Sequence, residues 1–136
     1  MRRSTRELMT TVVVLLAALG VATSGCRRGE ASTGVSAQTL LARIGQGDAP
    51  PILDVRTPQE FASSHVPGAM NIPYDLLAQR IGEIADLSDK EVVVYCERGN
   101  RAAKATETLR AGGFSAVRHL EGDMSAWRAA ALPMEK

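Results

Sequence analysis

From Val35 onward, apolar positions fall into short runs punctuated by glycine and proline, and the runs alternate between two periods. Leu40, Leu41 and Ile44 recur at helical spacing behind Ser36, a good N-cap, and Gly45 and Gly47 end that helix before Pro50-Pro51 blocks continuation. Ile52-Leu53-Asp54-Val55 is an apolar run whose end holds a carboxylate, as in a buried strand. Thr57-Pro58-Gln59-Glu60 predicts a capping box, with Thr57 at the N-cap, Pro58 at the first helical position and Glu60 at the third, opening a short helix through Phe61. Pro67-Gly68 turns the chain into a brief strand, Ala69 to Ile72. Leu76, Leu77, Ile81 and Ile84 return to helical spacing, closed by the polar stretch Asp86 to Lys90. Glu91 to Tyr95 is the clearest strand, and Ala102 to Ala111 predicts a helix with Ala105 and Leu109 inward and Gly112-Gly113 as its stop. A last strand, Phe114 to Leu120 around Val117, leads through Gly122 into a short helix carrying Met124 and Trp127, ended by Pro133. Strands alternating with helices predict an α/β domain with a short, mostly parallel sheet covered by helices on both faces.

The first residues have a different pattern. Arg2, Arg3 and Arg6 precede an uncharged apolar stretch from Leu8, which ends in the small residues Thr23-Ser24-Gly25 before Cys26. That layout predicts an export signal over residues 1–25. The ending resembles the lipobox of bacterial lipoproteins, in which the cysteine is lipidated, although Thr23 stands where that family carries an aliphatic residue. The stretch is also just long enough to read as an uncleaved membrane span, and either outcome puts the rest of the chain outside the cytoplasm. The expected product is a periplasmic or cell-surface lipoprotein held at the membrane by Cys26. Residues 26–34 then serve as a short tether and residues 35–136 form the domain.

Composition adds exclusions. The chain has 136 residues, 45% of them hydrophobic and only 4% aromatic, which allows one compact domain with an aliphatic core. Net charge is +1 and no basic stripe is present, so no nucleic-acid partner is expected. The two cysteines, Cys26 and Cys96, form no CxxC pair, which argues against a disulfide framework or a zinc site. His65 and His119 lie far apart in sequence and read as structural or surface residues, so no metal and no organic cofactor is expected. Trp127 and Met124 read as core.

The candidate chemistry sits between the clearest strand and the Ala-rich helix, in Cys96-Glu97-Arg98-Gly99-Asn100-Arg101. A thiol at a strand end before a helix N-terminus meets backbone N–H groups and a helix dipole that favour negative charge. Gly99 permits a tight curl of backbone around the sulfur, and Arg98 and Arg101 add cations that favour the thiolate and receive an anionic substrate. An inert core cysteine needs none of these. Cys96 is therefore the candidate nucleophile. Arg56 is expected to pair with Glu60 across the helix start.

These residues, in this order, resemble the rhodanese family of sulfurtransferases. The match runs through Asp54-Val55-Arg56 with Pro58, Glu60 and Phe61, then His65 to Pro73, Val92 to Arg101, and Leu120-Glu121-Gly122 with Trp127. The resemblance implies a three-layer rhodanese-like domain. It also implies a persulfide on Cys96, taken from a small-molecule donor such as thiosulfate and passed to cyanide, a thiol or a protein acceptor. Backbone N–H groups from Glu97 to Arg101 would cradle the sulfur; Arg101 would anchor loop and substrate anion; Arg98 would tune donor affinity; Asp54 would order the loop region, with Arg56 in support. Cysteine phosphatases use similar parts but place five residues between Cys and Arg. Here Glu97, Arg98, Gly99 and Asn100 make a ring one residue shorter, sized for sulfur, and Glu97 adds repulsion toward a dianion. A non-enzymatic persulfide relay, redox sensor or partner-binding module is the alternative of a different class.

Overall fold

The computed structural model describes residues 33–136, so the expected signal, the Cys26 lipidation site and most of the tether lie outside the described residues. Five parallel strands form one sheet: β1 (Gly34–Val35), β2 (Ile52–Asp54), β3 (Met70–Asn71), β4 (Glu91–Tyr95) and β5 (Ala116–Leu120), in the order β1-β5-β4-β2-β3. The helices are α1 (Ala37–Gln46), α2 (Pro58–Ser63), α3 (Leu77–Arg80), α4 (Asn100–Ala111) and α5 (Asp123–Ala129). This is the expected α/β sheet flanked on both faces. β2 and β4 are almost wholly buried, as strands covered on both sides must be.

Alternation along β4 divides the core. Val92, Val94 and Cys96 face one side with Leu53, Leu77, Ala105 and Leu109, whereas Val93 and Tyr95 face the other with Leu40, Met124 and Trp127. α3 and α4 thus cover the face onto which Cys96 points, and α1 and α5 cover the opposite face. The Tyr95 hydroxyl accepts the buried Val66 N–H at 3.1 Å, and the indole N–H of Trp127 donates to the Pro133 carbonyl at 2.8 Å, so both large polar side chains are satisfied inside.

Local rules account for most boundaries. The Ser36 hydroxyl caps α1 through the Thr39 N–H, and Gly47 closes it at φ 72°, in the left-handed region. The Thr57 capping box is present, with the Thr57 hydroxyl on the Glu60 N–H and the Glu60 carboxylate on the Thr57 N–H. Some boundaries differ, and β5, expected from Phe114, begins at Ala116. Gly34, expected in the tether, pairs with β5 as half of a two-residue edge strand too short to leave a period in the sequence. The helix expected through Ile84 is α-helical only to Arg80 and then winds into a tighter 3-10 segment, Ile81–Leu87, kinked at Ile84, whose side chain reaches the core. α4 begins two residues before Ala102, so Asn100 and Arg101 are its first turn.

Strand order fixes where a site can form. β2 connects outward to β3 on one side and β4 to β5 on the other, so the chain diverges between β2 and β4. The crevice beyond their carboxyl ends is where such sheets bind ligands. Asp54 ends β2, and Cys96 follows the last residue of β4.

Candidate active site

Cys96 is 1% exposed, and the Gly99 N–H donates to its Sγ at 3.0 Å. Gly99 lies at φ 102°, and a Cβ there would come within 3.2 Å of Asp123 Oδ2, so both conformation and space call for glycine. Gly99 also caps α4 without a side chain, which leaves the leading N–H groups and the positive end of the helix dipole at the mouth of the loop. Cys96, Glu97, Arg98, Asn100 and Arg101 line a cavity of about 300 Å³. A larger hollow of about 560 Å³ lies at the opposite, amino ends of the strands, beside Pro51, Ile52 and Met70. No thiol or hydroxyl side chain lines it, so its size does not make it the reaction site.

Residues 36–130 match the family model described as the rhodanese-like domain. The chain belongs to the rhodanese family. Among its relatives, a sulfurtransferase from Allochromatium vinosum is 32% identical over 100 residues, covering 74% of this chain and 92% of that protein. The chloroplastic thiosulfate sulfurtransferase 16 of Arabidopsis thaliana is 39% identical over 93 residues, covering 60% of this chain and 76% of that protein. The solution structure of a rhodanese-like domain from Anabaena sp. superposes with a TM-score of 0.68 at 31% identity, covering 76% of this chain and 78% of the other. The chain spans little more than half of some other curated relatives, 55% of one and 59% of another.

Beneath the rhodanese loop lies a buried ion pair. Asp54 and Arg56 are both 0% exposed; Arg56 Nη2 meets Asp54 Oδ2 at 2.6 Å, and its Nε lies 3.0 Å from both carboxylate oxygens. Nη2 also donates to the Ser64 carbonyl at 2.7 Å, and Nη1 faces Glu97 Oε2 at 3.5 Å. Asp54 thus bears on the loop through Arg56. The expected Arg56–Glu60 pair does not form: Glu60 is turned to its own helix cap and to Arg101, whose Nη1 and Nη2 donate to its carboxylate at 2.7 and 2.9 Å.

That second pair shows what Arg101 anchors the loop to. Its guanidinium is held above its usual range first by Glu60, against partial burial, and then by the Cys96 sulfur. Arg101 therefore fastens the loop to Glu60 while it lines the cavity beside the Cys96 sulfur. Glu97, expected to repel dianions, is bound by Arg128, whose Nη2 donates to Oε2 at 3.0 Å, and this pairing holds its carboxyl below the usual range. Arg98 is exposed and has no partner among the described residues. Asn100 contributes backbone at the start of α4 and lines the cavity.

Sequence reasoning missed four residues that complete the site. Asp123 Oδ1 accepts the Cys96 N–H at 2.8 Å, and its Oδ2 faces His119 Nε2 at 2.9 Å. The Ser125 hydroxyl donates to the Glu97 carbonyl at 2.8 Å, and Arg128 holds the Glu97 side chain. Each lies well beyond the motif in sequence, and the pairing of β5 with β4 and the packing of α5 against the end of β4 bring them together. Among the described residues no cluster of His, Cys, Asp and Glu is arranged to hold a metal.

The Glu60 pair carries a pH signature. Hydrogen bonding to Arg101, against partial burial, lowers the Glu60 carboxyl to about 2. A lowered folded-state value means the contribution is complete above the unfolded value, about 4.3, and is lost as pH falls toward about 2. Urea denaturation between these limits is expected to show a loss of stability that is smaller in Glu60→Gln, with equal slopes in the two proteins contradicting the assignment.

Proposed function

We propose that this rhodanese domain is a sulfurtransferase in which Cys96 carries the sulfur. The observation behind this reading is the Gly99 N–H on Sγ within a loop of four residues between Cys96 and Arg101. Relatives named sulfurtransferases support the reaction class. Thiosulfate is the proposed donor. The Cys96 thiolate attacks its outer sulfur; an S–S bond forms at Cys96, the donor's S–S bond breaks, and sulfite leaves with that electron pair. In the second half a nucleophilic acceptor, cyanide or a thiol, attacks the terminal sulfur of the persulfide. The new bond forms there, and the Cys96 thiolate departs with the pair from the broken S–S bond.

The charges favour this chemistry. Around the loop, the guanidinium groups of Arg56, Arg98, Arg101 and Arg128 meet the carboxylates of Asp54, Glu60 and Glu97. Asp123 is engaged by His119, so among the described residues Arg98 is the guanidinium of these four left without a carboxylate, and an anionic sulfur complements it. The uncommitted cation is Arg98, so donor recognition falls to Arg98 and the leading N–H groups of α4. Incubation with thiosulfate and cyanide is expected to yield thiocyanate with the native protein and none above background with Cys96→Ser. Arg98→Ala is expected to raise KM for thiosulfate by about fivefold to thirtyfold, the equivalent of one charge-assisted hydrogen bond, with a smaller effect on the cyanide half. Persulfide formation without thiocyanate would favour a relay.

We propose further that the domain works outside the cytoplasm on a lipidated Cys26. The basic start, the apolar stretch and the Ser24-Gly25-Cys26 ending support this. Cells fed labelled palmitate are expected to label the native chain and not Cys26→Ser; an unlabelled native chain would contradict lipidation.

A further inference from the structure

Asp123 breaks a local rule. It is a non-glycine residue at φ 53°, in the left-handed region, and its side chain is 3% exposed. Aspartate visits that region more easily than most residues, but a buried carboxylate there combines backbone strain with desolvation, a combination that collects at functional sites. Its two oxygens are divided between two groups. One accepts the Cys96 N–H at 2.8 Å and the other faces His119 Nε2 at 2.9 Å. The pair packs directly beneath the sulfur loop, because a Cβ on Gly99 would come within 3.2 Å of Asp123 Oδ2 and 3.5 Å of His119 Cε1.

We propose that His119 and Asp123 are a positioning pair for Cys96, and that the proton on His119 governs how readily the Cys96 thiolate forms. With His119 protonated the pair is neutral, and Asp123 fixes the backbone of Cys96 without presenting net charge to its sulfur. When the proton leaves, a negative charge remains one residue's reach from the sulfur and opposes a second. The charge on the pair therefore bears on the charge on the sulfur. The surroundings favour the protonated form: Asp123, against partial burial, and then Glu121 hold the imidazole above its usual range. His119 is 40% exposed and opens onto a second cavity of about 250 Å³, where α4 contributes Glu107 and Arg110, whose charges oppose each other, and Thr33 contributes none. Protons thus reach His119 from solvent through a cavity that Arg98 does not line.

The inference rests on Cys96 being the reacting thiol, as above. Alkylation by iodoacetamide reads the thiolate and not sulfur transfer, so either idea can fail alone. Near pH 7, His119→Gln is expected to be alkylated about threefold to tenfold more slowly than the native domain, because glutamine can hold the Asp123 oxygen but supplies no charge. His119→Lys, which keeps the charge and loses the ring, is expected to react within about twofold of the native rate. Adding Asp123→Asn to His119→Gln is expected to restore the rate, since asparagine also tolerates the left-handed backbone and still accepts the Cys96 N–H. A merely structural role predicts that Lys and Gln are alike and that the double variant is worst. Either of those results, or a native rate in His119→Gln, would overturn the proposal. If the double variant does not fold, the Lys and Gln pair at the half-exposed position decides.

Discussion

A guanidinium with no exposed surface is the interaction on which this site depends. Arg56 lies between the end of β2 and the sulfur loop, and it stays charged there because Asp54 takes it on several sides while Tyr95 lies beneath it, 5.6 Å from ring centroid to guanidinium. Removing one member of such a pair costs about 3–5 kcal/mol, since the other is left buried and unpaired. The pair thereby ties β2, the chain after α2 through the Ser64 carbonyl, and the Glu97 side chain into one unit.

From that unit outward, each cation around the loop but one is spoken for. Arg101 is fastened to Glu60 and Arg128 to Glu97, while α5 adds its own grip through Ser125 and through the Met124 N–H, which donates to the Cys96 carbonyl at 3.1 Å. These ion pairs fasten the loop, and Arg98 is left without a carboxylate partner among the described residues. In the proposed transfer the sulfur is anionic when it attacks and again when it leaves, which suits a cradle whose charges are set before substrate arrives.

The motif itself was legible because its information is local. Ser36, the Thr57 capping box and the Cys96 to Arg101 loop are read from neighbours within a few positions, and the apolar runs give the alternation of strands and helices. The pairings that hold the loop were not legible, because Glu60 and Arg101, or Glu97 and Arg128, meet only through the packing of elements. Arg56 shows the same limit: spacing along the chain suggested Glu60, but a buried guanidinium takes the buried carboxylate, and Glu60 was already engaged by its cap and by Arg101. Asp123 was missed for another reason. Its position reads as the turn into a short helix, and nothing in composition signals that a carboxylate there reaches back to the end of β4.

The central claim is that the cradle at the end of β4 holds a transferable sulfur. Intact-mass measurement of the domain after exposure to thiosulfate tests it most directly. The account predicts an adduct of one sulfur atom that persists through buffer exchange, disappears on adding cyanide and never forms in Cys96→Ser. An unmodified mass with thiosulfate and other sulfane donors, or an adduct that survives replacement of Cys96, would contradict it.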